Sequence, residues 1–169
     1  METIAVYWEA KIKTYGFTLF RGQVIVRVRL PAERLGDCGL LLEELAQSFS
    51  SFRTTSMSMG AEGNPEMGFL FDRESGERFL QRLERQAEEY PDMRVSISPP
   101  LDAITFYGPH FQDRFGIAHA ACGALAVEGL APQVTVCSGS TAWMVLPDGT
   151  GDGAMAALRR AFCIPGEEE

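Results

Sequence analysis

A four-residue pattern occurs twice in this chain, and its spacing carries well beyond those four residues. Glu33-Arg34-Leu35-Gly36 and Asp113-Arg114-Phe115-Gly116 both read acidic, arginine, bulky apolar, glycine, at an offset of 80 positions. The same offset sets Val24 against Ile104, Val26 against Phe106 and Leu45 against Leu125, so the register holds through a strand, a loop and a helix. A repeat that keeps its spacing points to two copies of one supersecondary unit. Each copy must then fold within about half of a 169-residue chain.

Periodicity supplies the elements of the first copy. In QVIVRVRL, Val24, Val26, Val28 and Leu30 share one face while Arg27 and Arg29 share the other, which predicts a strand with one buried and one solvated side. Apolar residues at Cys38, Leu41, Leu42, Leu45 and Phe49 predict a helix from Asp37 to Phe49, ended by Ser48, Ser50 and Ser51. Strands follow at Phe52 to Met59 and Met67 to Phe71. A second helix runs from Ser75 to Tyr90 with Phe79, Leu80, Leu83 and Ala87 on one face, stopped by Pro91, and a strand follows from Met93 to Ser98. Pro99-Pro100 is the clearest linker.

The second copy repeats the order: strand Ile104 to Tyr107, helix Ile117 to Glu128, strands Gln133 to Cys137 and Thr141 to Leu146, helix Gly153 to Phe162. It lacks a long sixth element. The alternating stretch Thr3 to Phe20, with Tyr7, Trp8, Tyr15 and Phe17 as packing surface, reads as a hairpin or two short strands broken at Gly16 and is expected to complete the second sheet. The fold class is therefore α+β: two ferredoxin-like βαββαβ units in tandem, with antiparallel sheets and helices on one face. Domains are expected at residues 20–98 and 101–165, with an acidic tail at 166–169.

Composition narrows the function. The formal net charge is −8 with scattered basic residues, which argues against nucleic acid and anionic membranes. No apolar run is long enough to span a bilayer and the start lacks a signal-peptide pattern, so a cytoplasmic protein is expected. The cysteines Cys38, Cys122, Cys137 and Cys163 are widely spaced and read as reduced packing thiols. With only two histidines, His110 and His119, a metal site has little to draw on, and no cofactor motif is present. His110 with Asp113 is the one acid and base candidate, and no catalytic constellation is evident, so a non-enzyme is expected.

Ile104 to Leu125 holds the chemistry. A strand, a polar loop and the start of a small-residue helix make a corner whose first-turn N–H groups and macrodipole favour a carboxylate. The plainer readings are a helix N-terminal acid with a surface partner at Asp113-Arg114, close helix packing at Gly36 and Gly116, and a polar turn at Ser138 to Ser140.

These residues carry a resemblance. Asp113-Arg114-Phe115-Gly116 between strand and helix resembles the D-R-P-G corner of ACT domains, the regulatory modules of amino-acid metabolism. ITFYGPHFQDRFGIAHAACGALAVEGL, SGSTAWMVL and AMAALRRAF resemble the second ACT domain in the tandem regulatory region of aspartokinases. The family's proline before the glycine is Phe115 here and Leu35 in the first copy. The resemblance implies ACT units paired into a continuous sheet, without the aspartokinase catalytic region. It also implies allosteric regulation by a free amino acid, lysine and threonine being the common effectors, and an amino-acid biosynthetic enzyme as partner. Carried onto this chain, the effector contacts are Asp113, Arg114, Phe115, Gly116 and Ile117, with Glu33, Leu35, Gly36 and Asp37 in the first copy. A homodimer is expected, because unpaired sheet edges are normally covered. The alternative is a ligand-free ACT-type dimerisation or interaction domain.

Overall fold

The computed structural model describes residues 11–47, 52–60, 63–90, 92–109 and 111–166, less the side chains at 38, 41, 44 and 45. Tyr7, Trp8, the helix end at Ser48 to Ser51, Pro91, His110 and the tail Glu167 to Glu169 lie outside the described residues.

In chain order the elements are β1 (Ile12–Lys13), β2 (Gly16–Arg29), a 3-10 turn (Ala32–Arg34), α1 (Leu35–Ala46), β3 (Thr54–Met59), β4 (Pro65–Asp72), α2 (Arg73–Ala87) and β5 (Arg94–Ile97). Then come β6 (Leu101–Tyr107), α3 (Ile117–Val127), β7 (Val134–Ser138), β8 (Thr141–Pro147), α4 (Gly151–Ala161) and β9 (Phe162–Cys163). The chain packs as two compact units. The first-copy unit comprises residues 20–103 with 147–149, and the second-copy unit residues 11–19, 104–146 and 150–166 of the described chain.

In the first-copy unit the strand order is β3-β4-β2-β5, the ferredoxin-like arrangement, with every pair antiparallel. Register explains its core. Val24, Val26 and Val28 of β2 lie opposite Phe71, Phe69 and Met67 of β4. These six side chains make the face on which Phe79 and Leu83 of α2 pack. The other face carries Arg27 and Arg29, whose guanidinium groups reach Glu66 at 3.5 and 2.6 Å. Pairs this exposed contribute about 0–1 kcal/mol, so the valine face dominates.

In the second-copy unit the order is β2-β6-β8-β7, with the start of β2 in the place of a fourth strand. Phe17 of β2 packs on Phe106 and Phe162 at 5.1 and 5.9 Å between ring centroids. Ile117, Ala121 and Leu125 of α3 recur every fourth residue and are all buried against Ile104 and Phe106 of β6. The short β9 pairs in parallel with β1, Ile12 opposite Phe162.

One expectation is corrected. Thr3 to Phe20 reads as a hairpin or two short strands and QVIVRVRL as a separate strand after Arg21-Gly22, yet β2 runs unbroken for 14 residues from Gly16 to Arg29. Gly22 sits inside it at φ +63°, a conformation that glycine adopts without steric cost, so the chain absorbs the irregularity and the pairing resumes. Likewise β6 begins at Leu101, directly after Pro99-Pro100, rather than at Ile104.

Candidate functional site

The second-copy corner starts where β6 ends at Tyr107. Gly108 follows under steric compulsion, since a Cβ there would lie 2.4 Å from both the Lys13 carbonyl oxygen and the Phe111 ring. Phe111 is buried and stands edge-on to Phe106 at 5.9 Å, which anchors the loop in the core. The loop then rises to the surface. Asp113 is exposed, Arg114 is half-buried, and Phe115 is 98% exposed. Gly116 occupies the N-cap of α3 at φ +87°, ψ 5°.

That cap has a chemical consequence. A serine, threonine, asparagine or aspartate at an N-cap would offer its side-chain oxygen to the N–H groups of the first turn. Gly116 makes no side-chain cap bond, and no acidic residue lies in the first turn of α3. The Gly116 carbonyl accepts from the Ala120 N–H at 2.9 Å, which begins the helical ladder. The N–H groups of Ile117, Ala118 and His119 precede that ladder and point along the helix axis, where the dipole favours an anion. Ile117 offers only backbone here, because its side chain is 8% exposed and belongs to the core.

The first-copy corner is built differently from the same residue pattern. Pro31 opens a 3-10 turn in which its carbonyl accepts from the Arg34 N–H at 2.9 Å, and α1 begins directly at Leu35. Gly36 is therefore a helical residue rather than a left-handed cap. In register, α1 starts two residues before α3 does. The Asp37 carboxylate accepts a hydrogen bond from the Arg34 guanidinium, which raises the pKa of Arg34 above its ordinary value. The guanidinium also lies over the Tyr90 ring, 5.4 Å from its centroid. Glu33 and Gly36 are exposed and Leu35 is 41% exposed.

The nine candidate residues thus fall into two corners, and only the second opens its helix on a left-handed glycine. None of the nine lines the apolar cavity of about 600 Å³ beneath α1 in the first-copy unit. The periodicity of its lining residues, Phe69 and Phe79 among them, reads as ordinary core. The only sequence signal is Asp37 standing where the second copy has the core residue Ile117. Of the acid and base candidates, Asp113 is exposed and His110 is outside the described residues. Among the described residues no group of three metal-ligating side chains occurs, and no helix is long and apolar enough to cross a membrane.

No protein-family model and no curated protein matches the sequence. Solved structures do match. The ligand-free regulatory subunit of aspartate kinase from Thermus thermophilus superposes with a TM-score of 0.76 at 14% identity, covering 89% of this chain and 99% of that one. A structure of the aspartokinase alpha and beta subunits gives 0.74 at 16% identity, covering 88% and 97%. Aspartate kinase from Synechocystis gives 0.77 at 19% identity, with 95% of this chain matched to 29% of the enzyme. The chain has the fold of the aspartokinase regulatory region, two ACT-type units in tandem.

Proposed function

We propose that this chain is a non-catalytic regulatory module that binds a free amino acid at its second strand-to-helix corner. The observation that carries the reading is Gly116. A left-handed glycine cap without a side chain leaves the first-turn N–H groups of α3 to an incoming carboxylate. Asp113, exposed on the same loop, supplies a negative partner for the ammonium, and backbone at Gly116 allows close approach. The first corner is the weaker site, since Asp37 is engaged by Arg34 and α1 starts without a glycine cap. The effector is of the lysine or threonine class, and the regulated partner is an enzyme of amino-acid biosynthesis.

A thermal-shift screen of the purified chain against the twenty amino acids, repeated with Asp113→Ala, tests this. A ligand at 100 times its Kd stabilises by about 2.7 kcal/mol, well within reach of such a screen. A shift with one amino acid that Asp113→Ala removes identifies effector and site together.

A second reading is a dimerisation module that binds no effector. Phe115, 98% exposed where the family has proline, favours it, because so open an aromatic ring suits contact with another chain. Silence across all twenty amino acids selects this reading over the first.

A further inference from the structure

The two copies serve as controls for each other, and one place in the fold separates them. In the second-copy unit α3 is seated on its sheet. Ile117, Ala121 and Leu125 are buried, and Cys122 Sγ lies 4.0 Å from Thr135 Oγ1 on the edge strand β7. Eighty positions earlier stand Asp37, Leu42 and Thr55. Asp37 faces Arg34 instead of the core, and Leu42 of α1 and Thr55 of β3, the counterparts of the touching pair, both line a cavity of about 600 Å³. The first-turn position that holds the buried Ile117 in α3 thus carries a charged residue in α1.

The walls of that space are chemically specific. Phe52 stands edge-on to Phe69 and Phe71 at 6.0 and 6.4 Å, and Phe79 of α2 packs on both at 5.4 and 4.9 Å. Met57 and Met67, paired across β3 and β4, add two thioethers to the same lining. Ring edges and polarisable sulfur suit the face of a further aromatic ring. The volume falls in the range of small-molecule sites, about 300–1,000 Å³. Among the described residues of the lining, Glu43, itself exposed, is the one charged group, and no lysine, arginine or histidine accompanies it. The head group that fits is an ammonium, and a carboxylate is disfavoured.

We propose that the first-copy unit binds a compact aromatic amine in the cavity beneath α1, ring against the phenylalanine and methionine wall and ammonium toward Glu43. This site is independent of the corner at Gly116, whose uncapped N–H groups select for a carboxylate.

The test is a titration of the full chain labelled with ¹³C at its methionine methyls, using phenethylamine and 3-phenylpropionate as matched cationic and anionic probes. Phenethylamine is expected to shift the Met57 and Met67 signals saturably while leaving Met144 and Met155 of the other unit in place. The anionic probe is expected to bind about fivefold more weakly, the size of one partly exposed charge contact. Glu43→Gln should erase that difference. Gly39→Leu fills the cavity from α1, where a Cβ meets nothing within 4 Å, and should abolish the Met57 and Met67 shifts with Met144 and Met155 unchanged as the check on folding. Absence of any shift at millimolar phenethylamine, or a titration that Gly39→Leu does not alter, overturns the site. Equal binding of the two probes to the native chain overturns the amine assignment.

Discussion

Asp72 does two jobs at one position: it ends β4 and its carboxylate accepts from the Ser75 N–H at 2.9 Å as the N-cap of α2. That bond is the main reason its pKa lies below the ordinary carboxylate value. Burial opposes the shift, while the Ser75 side chain and the Arg53 charge reinforce it. A lowered native pKa means that the stabilisation is complete above the unfolded value, near pH 3.9, and is lost as pH falls through the native one. Asp72→Ala is expected to cost about 0.5–2 kcal/mol at neutral pH in urea unfolding, with the gap to the native chain closing in acid. Two helical glycines give a second contrast. A Cβ at Gly76 would lie 2.4 Å from Val24 Cγ2 in the core, whereas one at Gly123 meets nothing within 4 Å. Gly76→Ala should therefore destabilise by about 1–3 kcal/mol through overpacking. Gly123→Ala should stabilise by about 0.5–1 kcal/mol, the ordinary gain of alanine over glycine in a helix. Equal effects of the two substitutions in the same unfolding assay would contradict the packing of α2 on β2.

Elements were legible where their pattern is local. The alternation of Val24, Val26 and Val28 and the helical spacing of Phe79 and Leu83 each mark the buried face observed. The continuity of β2 was not legible, because Arg21-Gly22 has turn chemistry and only the pairing with distant β4 and β6 reveals a strand that passes through it. The corners show the same limit more sharply. Glu33 to Gly36 and Asp113 to Gly116 share one residue pattern, yet Gly36 is helical and Gly116 is left-handed. What differs lies outside the pattern: Pro31 starts a 3-10 turn that launches α1 early, whereas the second loop is held by Phe111 in the core. The cavity beneath α1 is lined jointly by residues of α1, β3, β4 and α2, a juxtaposition that no periodicity within one element encodes. The exchange of Ile117 for Asp37 between copies becomes informative only once the core of the second unit is known.

At the scale of the whole molecule, β3 and β7 stand at the outer ends of their strand orders with one edge each. Edges of this kind are templates for pairing with another chain. A homodimer, and thus four ACT units, is the expected assembly, and light scattering coupled to size exclusion that returns a monomer throughout the micromolar range would refute it. The start of β2 has a different bearing. Gly16–Leu19 precedes the first copy in sequence yet belongs to the unit built from the second, with Phe17 and Leu19 packed against its core. The duplication is thus not a pair of detachable cassettes. A gene cut at Pro99-Pro100 would encode a second fragment missing its fourth strand, and the two products would regain a complete fold only by complementation, the first lending its leading strand to the second.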